Sequence, residues 1–198
     1  MPYDHNSDFD WTAYQPPTEP SPSGIFPLND FGQKLLAKIL PFESESAFGW
    51  LRRLESHVPQ IGYGPPLGKE FRERLQMGFE GRLPAMLLEL WRYAPGLELR
   101  QYPILFDPVR LASENRYYAD IVPEIMTSRV FIAGADGFSA AVALGGEDPD
   151  LRAHEWSHEE GFTGRTAPTL MHYLAERAAW YATTFQPFCY QHGYVGIS

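Results

Sequence analysis

Cysteine is nearly absent from the chain: Cys189 is the only one among 198 residues. An internal disulfide and a cysteine-built zinc site are both excluded, and a reducing compartment, the cytoplasm, is the expected location. Long apolar runs are missing too. No stretch of 18 consecutive apolar residues occurs, so no segment reads as a membrane-spanning helix. The opening residues MPYDHNSDFDW are acidic, where a secretory leader is basic and then apolar, and none is expected. Lysine and arginine are scarce, 16 against 25 acidic residues, for a formal charge of -9.

The scarcity is uneven. Residues 1–23 carry Asp4, Asp8, Asp10 and Glu19 with no basic residue, a charge of -4, and residues 143–161 carry six acids against Arg152 alone, a charge of -5. An acid-rich surface repels phosphates, which argues against nucleic acid as a partner. It suits a basic protein surface, although acidic runs also serve solubility alone. What the chain has in quantity is apolar and aromatic material, 44% and 15%. That supplies one core, and the length fits one domain with an extension.

Residues 1–23 hold Pro2, Pro16, Pro17, Pro20 and Pro22 among polar residues and are expected to form a flexible acidic arm. An N-terminal helical extension follows over 24–59. In it Phe31, Leu35, Ile39 and Leu40 place a helix over 30–40, stopped by Pro41, and Phe48, Leu51 and Leu54 place another over 46–57. Two further helices are expected over 66–77, with Leu67, Phe71 and Leu75 on one stripe, and from Pro84 to the Pro95-Gly96 stop. Beyond Gly96 the period changes. Strands are expected over 97–101, 102–106, 129–133, 138–144 and 151–156, with a hairpin across Gly134 to Gly137. A helix from Pro168 to about Thr184 closes the chain. The expected fold class is α+β, a single domain whose antiparallel sheet has helices before and after it.

Several of these pieces resemble one family. The stretch from Gly62 through Pro65, Pro66 and Leu67 to Phe71, the link Gly81-Arg82-Leu83-Pro84 into a second helix, and the turn Ala94-Pro95-Gly96 resemble the opening of the SUKH superfamily. The hairpin around Phe131 to Leu144 and the helix from Pro168 to Tyr181 are similar to that family's central hairpin and terminal helix. The resemblance spans residues 60–185 and makes 60–198 a SUKH-like α+β domain. Residues 1–58 have no fixed counterpart in the family, and 106–126 is longer and less regular than a simple loop between strands. The resemblance implies a binding module without a catalytic site. Bacterial members are commonly immunity proteins that neutralise a toxin, often a nuclease, in polymorphic toxin and toxin–antitoxin-like systems, and fungal relatives act in cell-wall regulation.

The motifs can be weighed without that help. Leu83-Pro84 is helix-start chemistry, and Gly134, Asp136 and Gly137 are turn chemistry. His154-Glu155-Trp156-Ser157-His158 satisfies H-E-x-x-H, the zinc-hydrolase spacing, with Glu155 as a base, but no third ligand is placed on a recognisable element downstream, where His172 and His192 stand. That chemistry needs a helix of several turns, and the glycines at 145, 146, 161 and 164 leave little room for one. Cys189 has no patterned histidine partner, and no G-x-S-x-G elbow occurs. Trp11, Tyr14, Tyr117, Tyr118, Trp156, Phe162 and Tyr190 sit among polar neighbours, a composition that suits a protein interface when the rings are exposed. Core packing is the ordinary role for each singly.

The leading expectation is an immunity protein whose acidic loop docks on a basic toxin. Its partner-binding residues are Glu147, Asp148, Asp150, Glu155, Trp156, Glu159 and Glu160, with no catalytic residue, metal or cofactor. The alternatives are an intracellular scaffold of the same fold and, third, a zinc hydrolase centred on His154 and His158.

Overall fold

Two capped helices open the structure. It is a computed structural model that describes residues 24–185 apart from 65–66, 100–101, 136, 147 and 149. The expected arm over 1–23 lies outside the described residues, as do Asp136, Glu147, Cys189, Tyr190 and His192. Helix α1, Asp30–Ile39, starts at Asn29, whose side chain accepts the Gly32 amide, and α2, Ala47–His57, starts at Ser46, which accepts the Gly49 amide. Each cap satisfies an amide that the first turn leaves without a partner. The two helices are tied at the far end of α1. Trp50 donates its indole N–H to Ile39 O at 2.8 Å, and Arg53 donates to Lys38 O and Leu40 O at 2.6 and 2.8 Å while pairing with Glu45.

Helices α3, Lys69–Gly78, and α4, Ala85–Tyr93, follow near their expected places. A short antiparallel sheet is built from β1, Ile61–Gly62, β2, Leu97–Leu99, and β3, Tyr102–Leu105, in that order. The irregular stretch anticipated over 106–126 is instead helical. Asp107 accepts the Val109 and Arg110 amides and Pro108 occupies the first turn of α5, Pro108–Ile121, with α6, Pro123–Met126, directly after it. The second sheet holds β4, Arg129–Ala135, β5, Phe138–Ala143, β6, Ala153–Ser157, and β7, Gly161–Ala167, an antiparallel meander in chain order. Strand β7 had no counterpart in the sequence expectations. Helix α7, Leu170–Trp180, capped by Thr169, runs into one π-helical turn over Tyr181–Phe185.

The class is α+β, with two antiparallel sheets where one was expected. A backbone bond from Phe106 N to Ile132 O, 2.8 Å, stitches the end of β3 to β4. Helices cover both faces of the four-stranded sheet. Along one face α7 joins Trp50, Leu54, Leu87 and Trp91, all fully buried, in the main core. Residues 24–59 share this core through Ile25, Ile39, Trp50 and Leu54. On the opposite face α5 and α6 close a second cluster, in which Tyr118, Val122 and Ile125 meet Phe131, Ala141 and Trp156. Because both faces are covered, all five residues of β6 are buried. Among the described residues no helix is long and apolar enough to cross a membrane.

Candidate protein-binding face

The second cluster is a pedestal for one end of the sheet. Its keystone is Asn115 of α5, which sits where a neighbouring strand would. Asn115 Oδ1 accepts the Phe131 amide at 2.8 Å, and its Nδ2 donates to Phe131 O at 2.7 Å and to Leu111 O at 2.8 Å. One side chain thereby reproduces a strand pairing and fixes the rotation of α5 on β4. One turn later, Tyr118 stacks on Phe131 with centroids 3.9 Å apart. Trp156 stands edge-on to both rings, at 5.4 and 5.5 Å. Such an aromatic block combines large apolar burial with edge-to-face contacts.

The pedestal carries an exposed rim. Tyr117, 53% exposed, leans edge-on against Tyr118 at 5.6 Å. Phe138, 47% exposed and opposite Ser157 in the β5–β6 register, stands at the hairpin tip on the other face of the sheet, the one Ala140 and Glu155 share. The β6–β7 turn is docked on the β4–β5 hairpin by the His158 amide donating to Gly137 O at 3.1 Å, where Gly137 takes the positive φ of 83° that the tight turn needs. The His158 ring contacts Trp156 at 4.8 Å, and its Nε2 lies 3.3 Å from the Tyr118 hydroxyl. Burial lowers the His158 pKa and the Glu114 carboxylate opposes that shift, so the ring is neutral near pH 7. Glu159 and Glu160 follow at the turn, both exposed and without an ion pair among the described residues. One accessible ring, Tyr117, thus stands on a braced base, and two exposed carboxylates follow at the turn that His158 ties to that base. This arrangement can supply contact area and negative charge to a partner.

The structure separates the residues expected to act together. Glu159 and Glu160 are at the rim, and Asp150 is exposed on the β5–β6 connection. Asp148 is engaged in holding that connection, accepting the Asp150 and Arg152 amides and the Arg152 guanidinium, all at 3.0–3.2 Å. Burial of Asp148 works against its charge, but those bonds and the Arg152 charge outweigh it and hold its pKa below the ordinary carboxylate value. Glu155 and Trp156, expected in a solvated loop, are instead 7% and 3% exposed within β6. The reason is the helix cover on each face. Glu155 points to the α7 side, where Thr163 Oγ1 donates to it at 2.8 Å and Arg165 lies 3.8 Å away. Burial raises its pKa, against the effect of those two partners. Trp156 belongs to the pedestal and not to the contact surface.

The H-E-x-x-H segment forms no helix. Its first four residues lie in β6 and His158 in the turn beyond, so the two histidine Cα atoms are roughly 10 Å or more apart, where one helical turn would place them about 6 Å apart. His154 packs its ring edge-on to Phe162, and its buried Nδ1 has no hydrogen-bond partner. Burial, helped by the Arg129 charge, pushes its pKa down to about 3. A zinc site using both imidazoles is closed by this geometry.

One rim residue is not among the partner-binding residues expected from the sequence. Tyr117 was noted only as one aromatic among many; the helical i, i+1 pair Tyr117-Tyr118 implies that one ring of the two faces outward once α5 is known.

Comparison with known proteins adds no relative: no protein-family model matches the chain, and no curated protein matches it in sequence.

Proposed function

We propose that the chain is a non-enzymatic protein-binding module of the immunity type, working in the cytoplasm. It binds a cognate toxin with a basic surface and neutralises it by covering that surface. The observation that carries this reading is Tyr117, exposed on a buried aromatic base that also holds the turn bearing the exposed carboxylates of Glu159 and Glu160. A ring held on a rigid base beside charge is a ready anchor for a partner. Acidic groups beside such rings select a basic surface and speed its approach. The resemblance to the SUKH superfamily supports the same role.

The contact surface is then not a linear acidic loop but a folded face assembled from α5 and the β6–β7 turn. Trp156 acts beneath it as a support, and Glu155 is buried on the opposite side of the sheet. The test is a calorimetric titration of the purified chain with the product of the neighbouring reading frame, paired with a growth assay in which that product is expressed with and without the chain. Stoichiometric binding with restored growth is expected. A toxic neighbour that neither binds nor is neutralised would overturn the proposal.

A further inference from the structure

Three arginines line a single cleft against helix α5. The cleft lies between α3 with its following turn and α5 with α6, and encloses about 930 Å³. Its base is apolar, formed by Leu75 and Leu144, which are 8% and 3% exposed, and Phe79 and Met126 stand beside them. Arg74, Arg82 and Arg116 line it, with Glu80 as the one acid in the lining. In a chain of net charge -9, this grouping runs against the overall composition. Arg82 is fixed in place: its Nη1 donates to Thr127 O at 2.8 Å, and its backbone oxygen accepts the Gly145 amide at 2.7 Å. Arg74 and Arg116 are exposed and form no ion pair among the described residues.

We infer that this cleft is a second docking site, for an acidic peptide segment of a partner that carries carboxylates on either side of a large apolar side chain. Guanidinium groups bind carboxylates through paired N–H bonds, and the apolar base takes the side chain between them. Such mixed chemistry fits a peptide better than a compact phosphate. Phosphate sites use free amides at a helix N-terminus or a glycine-rich nest, whereas α3 meets this cleft at its C-terminal end, Gly78, and the amides of Phe79 to Arg82 that follow are already bonded to the carbonyls of Gln76, Met77 and Phe79. The volume lies near the top of the range of roughly 300–1,000 Å³ for ligand sites. This site shares helix α5 and Asn115 with the base of the rim, and it would bind a segment of opposite charge.

The experiment uses the full chain and a synthetic probe, the peptide Glu-Asp-Phe-Asp-Leu-Glu with blocked ends, titrated by calorimetry at low salt. A peptide with lysine at each acidic position, inorganic phosphate, and a twelve-nucleotide single strand are titrated in parallel. Saturable binding of the acidic peptide alone is expected. Arg74→Gln with Arg116→Gln should weaken it at least about tenfold, the scale of losing one charge-assisted pair, and flatten its salt dependence. Ala119→Trp fills the cleft from an exposed helical position without altering charge, and should abolish binding while the thermal midpoint is kept. The proposal is overturned if the acidic peptide shows no saturation, if Ala119→Trp binds it as tightly as the parent, or if phosphate or the oligonucleotide saturates the site while the peptide does not.

Discussion

The Ile25 amide donates to Glu176 Oε2 at 2.9 Å, joining residues 151 positions apart. The Phe26 amide also bonds this carboxylate, whose pKa is raised by burial against the pull of the two amides. Phe26 then stacks on Trp180 at 5.3 Å and tilts against Tyr173 at 5.6 Å. The segment ahead of α1 is therefore anchored on α7. Glu176→Ala leaves two amides without their acceptor and should cost about 1–3 kcal/mol, a fall in thermal midpoint of roughly 2–4 °C for each kcal/mol at this chain length. An unchanged midpoint would show that the anchor contributes nothing.

Gly24 offers an independent probe of the same anchor. It takes a φ of 68°, and a Cβ there would stand 2.7 Å from the Glu176 carboxylate. Gly24→Ala should therefore destabilise by at least about 1 kcal/mol from backbone conformation alone. Together with Glu176→Ala it should cost less than the two single effects summed, since both changes disturb one contact. Additive losses in chemical denaturation would separate the two positions.

Asn115 supports the proposed face through Phe131. Asn115→Leu preserves side-chain size but removes the partners of a buried amide and a buried carbonyl, and a loss of at least about 2 kcal/mol is expected in urea denaturation. Hydrogen exchange should locate the damage at Phe131 and in α5, with α1 and α2 retaining their protection. Uniform loss of protection over the whole chain would contradict that local assignment.

Acid should act through His154. Its folded pKa of about 3 lies below the ordinary 6.5, so between these values the unfolded chain holds a proton that the folded chain does not. Stability from this group is complete above pH 6.5 and falls as pH drops toward 3, at up to about 1.4 kcal/mol per pH unit. Glu155 and Glu176, with raised pKa values, act in the opposite sense, their contribution falling as pH rises above 4.5. The comparison is therefore between the parent and His154→Leu, which lacks only the imidazole. The variant's thermal midpoint should decline less between pH 6.5 and 4.5. Parallel curves would remove His154 as the cause.

Local signals in the sequence carried much of the fold. Pro41 ended α1 and the spacing of Leu170, Tyr173, Leu174 and Ala178 marked α7, because both depend on neighbours within one or two turns. Helix α5 was hidden because Asn115 occupies an apolar position of its buried stripe, although Asp107-Pro108 is a legible start signal. Strand β7, Gly-Phe-Thr-Gly-Arg-Thr-Ala, has too few apolar residues to announce itself, and pairing with β6 supplies its structure. Glu155 was misplaced for a related reason. A carboxylate reads as exposed, and only the fold brings Thr163 and Arg165 to its side. Glu159 and Glu160 were legible because, among the described residues, no later element covers them.

Charge reversal at the rim should act on the rate of encounter. Glu159→Lys with Glu160→Lys is expected to slow association with the cognate protein, with a deficit that shrinks as salt rises. The thermal midpoint should stay near the parent's, since both side chains are exposed. Reversal at Glu155 would instead place a cation within β6 and disturb folding, so it reports on stability. An association rate unmoved by the rim reversal would exclude steering by these two carboxylates.

The most direct measurement of the proposed role is the affinity of the product of the neighbouring reading frame for the parent and for Tyr117→Ala, by calorimetry at low salt. The ring is exposed, so the variant should keep its thermal midpoint within a few degrees, the effect of about 1 kcal/mol. It should lose at least about 2 kcal/mol of binding free energy, roughly 30-fold in Kd, mainly through faster dissociation. Parent and variant binding with equal affinity would contradict the assignment of this aromatic rim as the contact surface.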